Sequence, residues 1–131
     1  MSHFTRVQTR IRDRVLLEET LRRMSQSFRV GERVPIRGFQ GNTEHGEVVI
    51  DTGSGYDIGF QRQPDGTYQL CADWWGVQGN TPLREESFAQ ELSRTYAYLA
   101  VKRQVQEQGL IIEEERVLEN GEIEILVCER F

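Results

Sequence analysis

Three aspartates, Asp51, Asp57 and Asp73, are the residues whose spacing could best do chemistry. Folded into the most economical sheet, the middle of the chain sets them in one row. Facing side chains in such a row lie about 5 Å apart at Cβ, and like charges so placed repel. The row therefore wants a counter-ion, a proton or much water. A hard divalent cation would satisfy several carboxylate oxygens. Two carboxylates with split affinities for protons could serve acid–base chemistry. Arg37, expected on the next strand, would instead turn the row into an internal ion pair. The plainest alternative is three acids facing water, because no calcium-loop spacing accompanies them.

The row follows from strand register. Tyr56–Gln61 and Tyr68–Asp73 alternate apolar and polar residues, the period of half-buried strands. Pro64-Asp65-Gly66 between them fits a three-residue hairpin loop, with Gly66 in the left-handed position. That loop pairs Gln63 with Thr67, Phe60 with Leu70, Ile58 with Ala72 and Tyr56 with Trp74. A one-residue slip would send one apolar set to the wrong face. The strand Glu47–Asp51 turns at Gly53-Ser54-Gly55, which sets Val48 against Phe60 and Ile50 against Ile58. The opposite face then carries Val49, Gly59 and Cys71, followed by the three aspartates. If the last strand continues, Trp74 packs with Tyr56 and Trp75 stands beside the acidic face, where an aromatic can anchor a ligand or partner.

Other candidates are weaker. His3 and His45 show no metal-ligand spacing, and His45 is expected in a loop. Cys71 and Cys128 are too few for a disulfide scaffold or a zinc site of their own, and read as reduced thiols. No GxSxG motif supports a serine nucleophile. The glycines of Gly38-Phe39-Gln40-Gly41 and Gly53-Ser54-Gly55 read as turn formers rather than phosphate loops. The hydroxyls of Tyr96 and Tyr98 are expected to tie a helix to the sheet.

The 131 residues suggest one domain spanning 1–131. No apolar run approaches the roughly 20 residues of a membrane span. The opening residues lack an apolar signal core, so a cytoplasmic compartment is expected. Net charge is −5, but residues 1–37 carry nine arginines against four acids while the remainder is net −10. That balance argues against general nucleic-acid binding and leaves an Arg-rich N-terminal third as a weak RNA-binding candidate.

Along the chain, Thr5–Ile11 reads as a strand, and Asp13 caps a helix at about 14–25. Residues 28–40 read as one or two short edge strands around Pro35, residues 40–46 as a loop and 77–81 as a connector. Thr81 and Pro82 open a long helix that stops at Gly109. Its stripe, Phe88, Leu92, Thr95 and Leu99, drifts towards Val101 and Val105, which predicts a bend or break near 99–102. Two last strands flank Asn120-Gly121, a hairpin turn signal. The order predicts an α+β fold, an antiparallel sheet of about six to seven strands with two helices on one face. The other face, with the aspartates, would stay open.

Several blocks occur together in one known family: the opening Met-Ser-His-Phe-Thr, Arg37-Gly38-Phe39-Gln40-Gly41, Tyr56-Asp57-Ile58-Gly59-Phe60, Ala72-Asp73, Tyr96-Ala97-Tyr98 and Gln108-Gly109. In this order they resemble the hypothetical chloroplast reading frame thirty-five family, a conserved cyanobacterial and plastid domain of unknown function. Asp57 and Asp73 match its pattern; Asp51, the segment 22–34 and the segment 74–83 depart from it. The resemblance implies a small soluble protein with no assigned activity, and a partner such as a ferredoxin-like protein or an AAA-type ATPase. The reading that follows is a non-enzymatic accessory protein that meets a partner or ligand through Arg37, Asp57, Asp73 and Trp75. The alternative is a hydrolase-like enzyme with a divalent cation on Asp57, Asp73 and Asp51.

Overall fold

The structure, a computed structural model, describes residues 3–129. Its elements are β1 (Thr5–Gln8), α1 (Arg14–Arg23), β2 (Phe28–Arg37), β3 (Thr43–Asp51), β4 (Asp57–Arg62), β5 (Tyr68–Ala72), α2 (Trp74–Asn80), α3 (Glu85–Glu107), β6 (Leu110–Val117) and β7 (Ile123–Glu129). The fold is α+β. The seven strands divide into an antiparallel sheet of five, ordered β1-β5-β4-β3-β2, and a separate hairpin, β6-β7. Three helices accompany them rather than two.

The meander has the expected register. Val48 faces Phe60, Ile50 faces Ile58 and Asp51 faces Asp57; Ile58 faces Ala72 and Phe60 faces Leu70. The Gln63 N–H donates to the Thr67 carbonyl at 2.7 Å, and Gly66 takes φ +87° at the tip. These apolar rows bury against Leu17 and Leu21 of α1, Trp74 of α2 and Phe88 and Leu92 of α3.

The opposite face is less open than expected. β2 runs ten residues as the edge strand, slips register between Val30 and Val34, and carries Pro35 where no further strand needs its N–H. Its Ile36 packs onto Val49 and Cys71, with Phe4 and Val34 at the margin, as a small second core. Gly59 makes this possible: a Cβ there would lie 2.2 Å from Ile36 Cδ1.

Residues 74–80 form a helix where a strand end and a connector were expected. Trp74 and Val77 are both buried, an i, i+3 spacing that suits a helix and not a strand. The register therefore ends at Ala72, and Tyr56 does not pair with Trp74; its ring lies against α2, where a Cβ on Gly76 would sit 2.0 Å from Tyr56 Cε1. Thr81 closes α2 instead of opening the long helix, because its N–H and hydroxyl both donate to the Val77 carbonyl. The long helix starts at Glu85, whose N–H donates to Gln78 Oε1 at 2.9 Å. It runs unbroken through 99–102. The drift of its apolar face matches a change of neighbour: Phe88 and Leu92 enter the main core, while Tyr98 bonds Glu115 of β6. His45 lies within β3, not in a loop.

A polar cluster closes one rim of the main core. Glu47 accepts hydrogen bonds from the Tyr68 hydroxyl at 2.8 Å and from Arg62 Nε at 3.1 Å. Burial pushes the Tyr68 phenol up to about 12, helped by the adjacent Glu47. For Glu47, burial pushes upward, but the bonds from Tyr68 and Arg62 outweigh it and hold the carboxyl below its ordinary value. A folded-state value below the unfolded one gives stability that is present above the usual carboxylate range and lost as pH falls through the folded value. Glu47→Gln should therefore flatten the acid limb of the stability curve, by about 1 kcal/mol at neutral pH. Urea midpoints of both proteins between pH 3 and 7 check this. Parallel curves would show that Glu47 contributes nothing there.

Candidate functional site

The aspartates are drawn into two local jobs. Asp57 opens β4 and is fully buried. Arg37, at the end of β2, holds it three times: its backbone N–H and Nε donate to Oδ2, both at 2.8 Å, and its Nη2 donates to Oδ1 at 2.9 Å. This two-pronged pair is the strongest common form of charged hydrogen bonding. The Arg37 guanidinium is held above its ordinary value by the bond and charge of Asp57. It also lies 3.4 Å from Asp51 Oδ1, so one cation offsets the repulsion of the facing carboxylates. Asp51 remains exposed at the rim and accepts the Gly53 N–H at 2.9 Å.

Asp73 corrects the expected row. It lies one residue beyond the end of β5 and caps α2, accepting the Gly76 N–H at 3.3 Å. Both Asp57 oxygens are committed to Arg37, and among the described residues no group of three or more His, Cys, Asp or Glu is placed to hold a metal ion. The row is an ion pair beside a helix cap, not a set of three converging ligands.

Trp75 stands in the first turn of α2 with its side chain outward, 63% exposed, whereas Trp74 turns inward against Phe88. The Trp75 ring meets Phe39 edge-on, with centroids 6.5 Å apart. Phe39 begins a single 3-10 turn, Phe39–Gly41, two residues after Arg37. Gln40 in that turn takes φ 50°, ψ 44°, a left-handed conformation that non-glycine residues rarely hold. The turn is tied by the Gly38 N–H to the Asn42 carbonyl at 2.8 Å, and Gly38 lies over the Phe4 ring. The segments 37–41, 56–60 and 72–73 thus reach one corner: clamp, strained turn and an aromatic pair of half-buried Phe39 and exposed Trp75. Sequence reading overlooked Phe39 as a site residue. Its signal was an aromatic bracketed by Gly38 and Gly41, a pattern that suits a turn with a presented side chain.

Other candidates make local contacts. Cys71 is buried, and burial pushes its thiol up to about 11, which favours the thiol over the thiolate at neutral pH. Tyr96 accepts the Asp13 N–H at 3.3 Å, and Tyr98 donates to Glu115 at 2.7 Å, so both tie α3 to α1 and β6 rather than to the five-stranded sheet. Several N-terminal arginines pair within the chain: Arg6 with Glu44, and Arg14 and Arg22 with Glu18. No helix among the described residues is long and apolar enough to cross a membrane.

An α+β chain with this corner can be placed by its sequence relatives. Residues 20–126 match the family described as "Protein of unknown function (DUF1257)", and the chain belongs to that family. It is similar to the "Uncharacterized protein ycf35" of Guillardia theta, 30% identical over 127 residues that cover 95% of this chain and 94% of the relative. Proteins of the same name from Cyanophora paradoxa and Pyropia yezoensis are each 29% identical over 129 residues, covering 97% of this chain and 96% of the relative. The family resemblance read from the sequence is met. No solved structure matches this chain.

Proposed function

We propose that this protein is a non-enzymatic accessory protein of an aqueous, cytoplasmic-type compartment that binds a protein partner through the Phe39–Trp75 corner. The single observation behind this is Trp75, a large aromatic left 63% exposed on a rigid helix beside Phe39. Trp, Tyr and Arg dominate interface energetics. Backbone strain of the kind seen at Gln40 clusters at binding sites. Arg37, half exposed behind its clamp, and Asp51 supply a charged margin. Asp57 and Asp73 serve the corner from below: one anchors Arg37, the other positions the helix that carries Trp75.

Trp75→Ser should leave stability within about 0.5 kcal/mol, as expected for an exposed position. It should weaken partner capture at least tenfold, the scale of an interface anchor. Calorimetric melting paired with quantitative affinity capture separates the two. Undiminished capture by the folded variant ends the proposal.

A further inference from the structure

The β6-β7 hairpin stands apart from the main sheet, and a two-stranded sheet alone is marginally stable in water. Its two free edges differ. The β6 edge carries Glu113-Glu114-Glu115 and a register slip between Ile112 and Glu114, both devices that discourage strand addition. The β7 edge carries no register slip, no proline and no lysine, and between Glu124 and Glu129 it presents an uncharged run, Ile125-Leu126-Val127-Cys128. Leu126 and Val127 are exposed.

The side chains beside this edge are unfinished too. α3 is fastened over β6, where Tyr98 and Lys102 both reach Glu115. Next to β7 a groove of about 460 Å³ remains, lined by Ala97, Val101, Ile123 and Ile125, with Arg94 and Glu122 also on its wall. Val101 is exposed there.

We propose that the β7 edge is an interface between two copies of this chain, paired antiparallel about a twofold axis at Ile125. A twofold axis perpendicular to a sheet keeps each strand's faces, so residues pair only in steps of two. Centred on Ile125, Ile123 meets Val127 of the second copy and Ile125 meets itself, a continuous apolar row along the groove. On the other face Glu124 meets Leu126 and Glu122 meets Cys128, so no two acids oppose one another. Centring on Glu124 would set like charges face to face, which destabilises a pair. This self-complementarity favours a second copy over a foreign strand. The result is a closed four-stranded sheet with two protected outer β6 edges.

The test uses the full-length protein carrying Cys128→Ser. Ile125→Cys on that background should form a covalent dimer on mild oxidation, because self-facing residues have Cα atoms about 4.5–5.5 Å apart, within the span of a disulfide. Ile123→Cys should not. Val127→Lys, at an exposed site that tolerates charge in the monomer, should raise the dimer dissociation constant at least tenfold in sedimentation, with its circular dichroism unchanged. A parent protein that still sediments as a monomer at about 0.1 mM overturns the proposal. So does a dimer that cross-links through position 123 and not 125, or purification of the monomer with another protein's strand on this edge.

Discussion

Arg37→Ala should destabilise the fold by about 3 kcal/mol, with a drop in melting temperature of roughly 10 °C for a chain of this length. The substitution removes two hydrogen bonds to Asp57, a longer one to Asp51 and, among the described residues, the only cation that touches this fully buried carboxylate. Asp57 then keeps just the N–H of residue 37. Breaking a fully buried pair costs roughly 3–5 kcal/mol. Arg37 is 46% exposed, so water can reach the gap and the lower end applies. Asp57→Ala should cost a similar amount, since it leaves the backbone N–H of residue 37 unmatched and strips the guanidinium of its buried partner, with the exposed Asp51 at 3.4 Å remaining. The double variant should cost about 2 kcal/mol less than the sum, the mark of one shared interaction. Denaturant midpoints for the four proteins check this, and strict additivity would mean that the clamp contributes no coupling.

Gly59→Ala should cost about 3 kcal/mol, an unusual penalty for adding one methyl group to a strand. The new Cβ would lie 2.2 Å from Ile36 Cδ1 and 2.5 Å from its Cγ1. Ile36 cannot retreat, because it is itself fully buried against Val49 and Cys71. Overpacking of this kind typically costs 1–3 kcal/mol. The largest overlap is with the methyl that valine lacks, so Ile36→Val should recover at least 1 kcal/mol of the Gly59→Ala loss, although Ile36→Val alone destabilises. Urea denaturation of both single variants and the double checks this. Equal losses with and without Ile36→Val would mean that the strand, not the contact, is at fault.

The central meander was legible because two physical rules agreed on it. Alternation put Val48, Ile50, Ile58, Phe60 and Leu70 on one face, and odd loops were favoured because a one-residue slip would send one apolar set to the wrong face. Arg37 as a neighbour of the row was legible for the same reason. The end of β5 was not. Ala72-Asp73-Trp74 continues an alternating pattern, while Asp73 as a cap and the Trp74–Val77 spacing open a helix. Both patterns fit until the side chains are placed, and burial of Trp74 against Phe88 selects the helix. That one switch removes Asp73 from the row and swings Trp75 out to Phe39.

Closure of the second face was illegible for another reason. It depends on Ile36 reaching Gly59, and a missing side chain leaves no periodic signal. The separation of β6-β7 from the main sheet left no periodic signal either, and α3 continues as one helix through 99–102, where a bend or break had been expected.

The most direct test of the binding corner places a photoreactive phenylalanine analogue at position 75 in the living host. A second probe at Val15, an exposed residue of α1, serves as reference. The expected result is one dominant adduct of defined mass from position 75, absent from position 15 and lost when Phe39 is replaced by Ser. Equal labelling from both positions, or an adduct at 75 that survives loss of Phe39, would contradict the account.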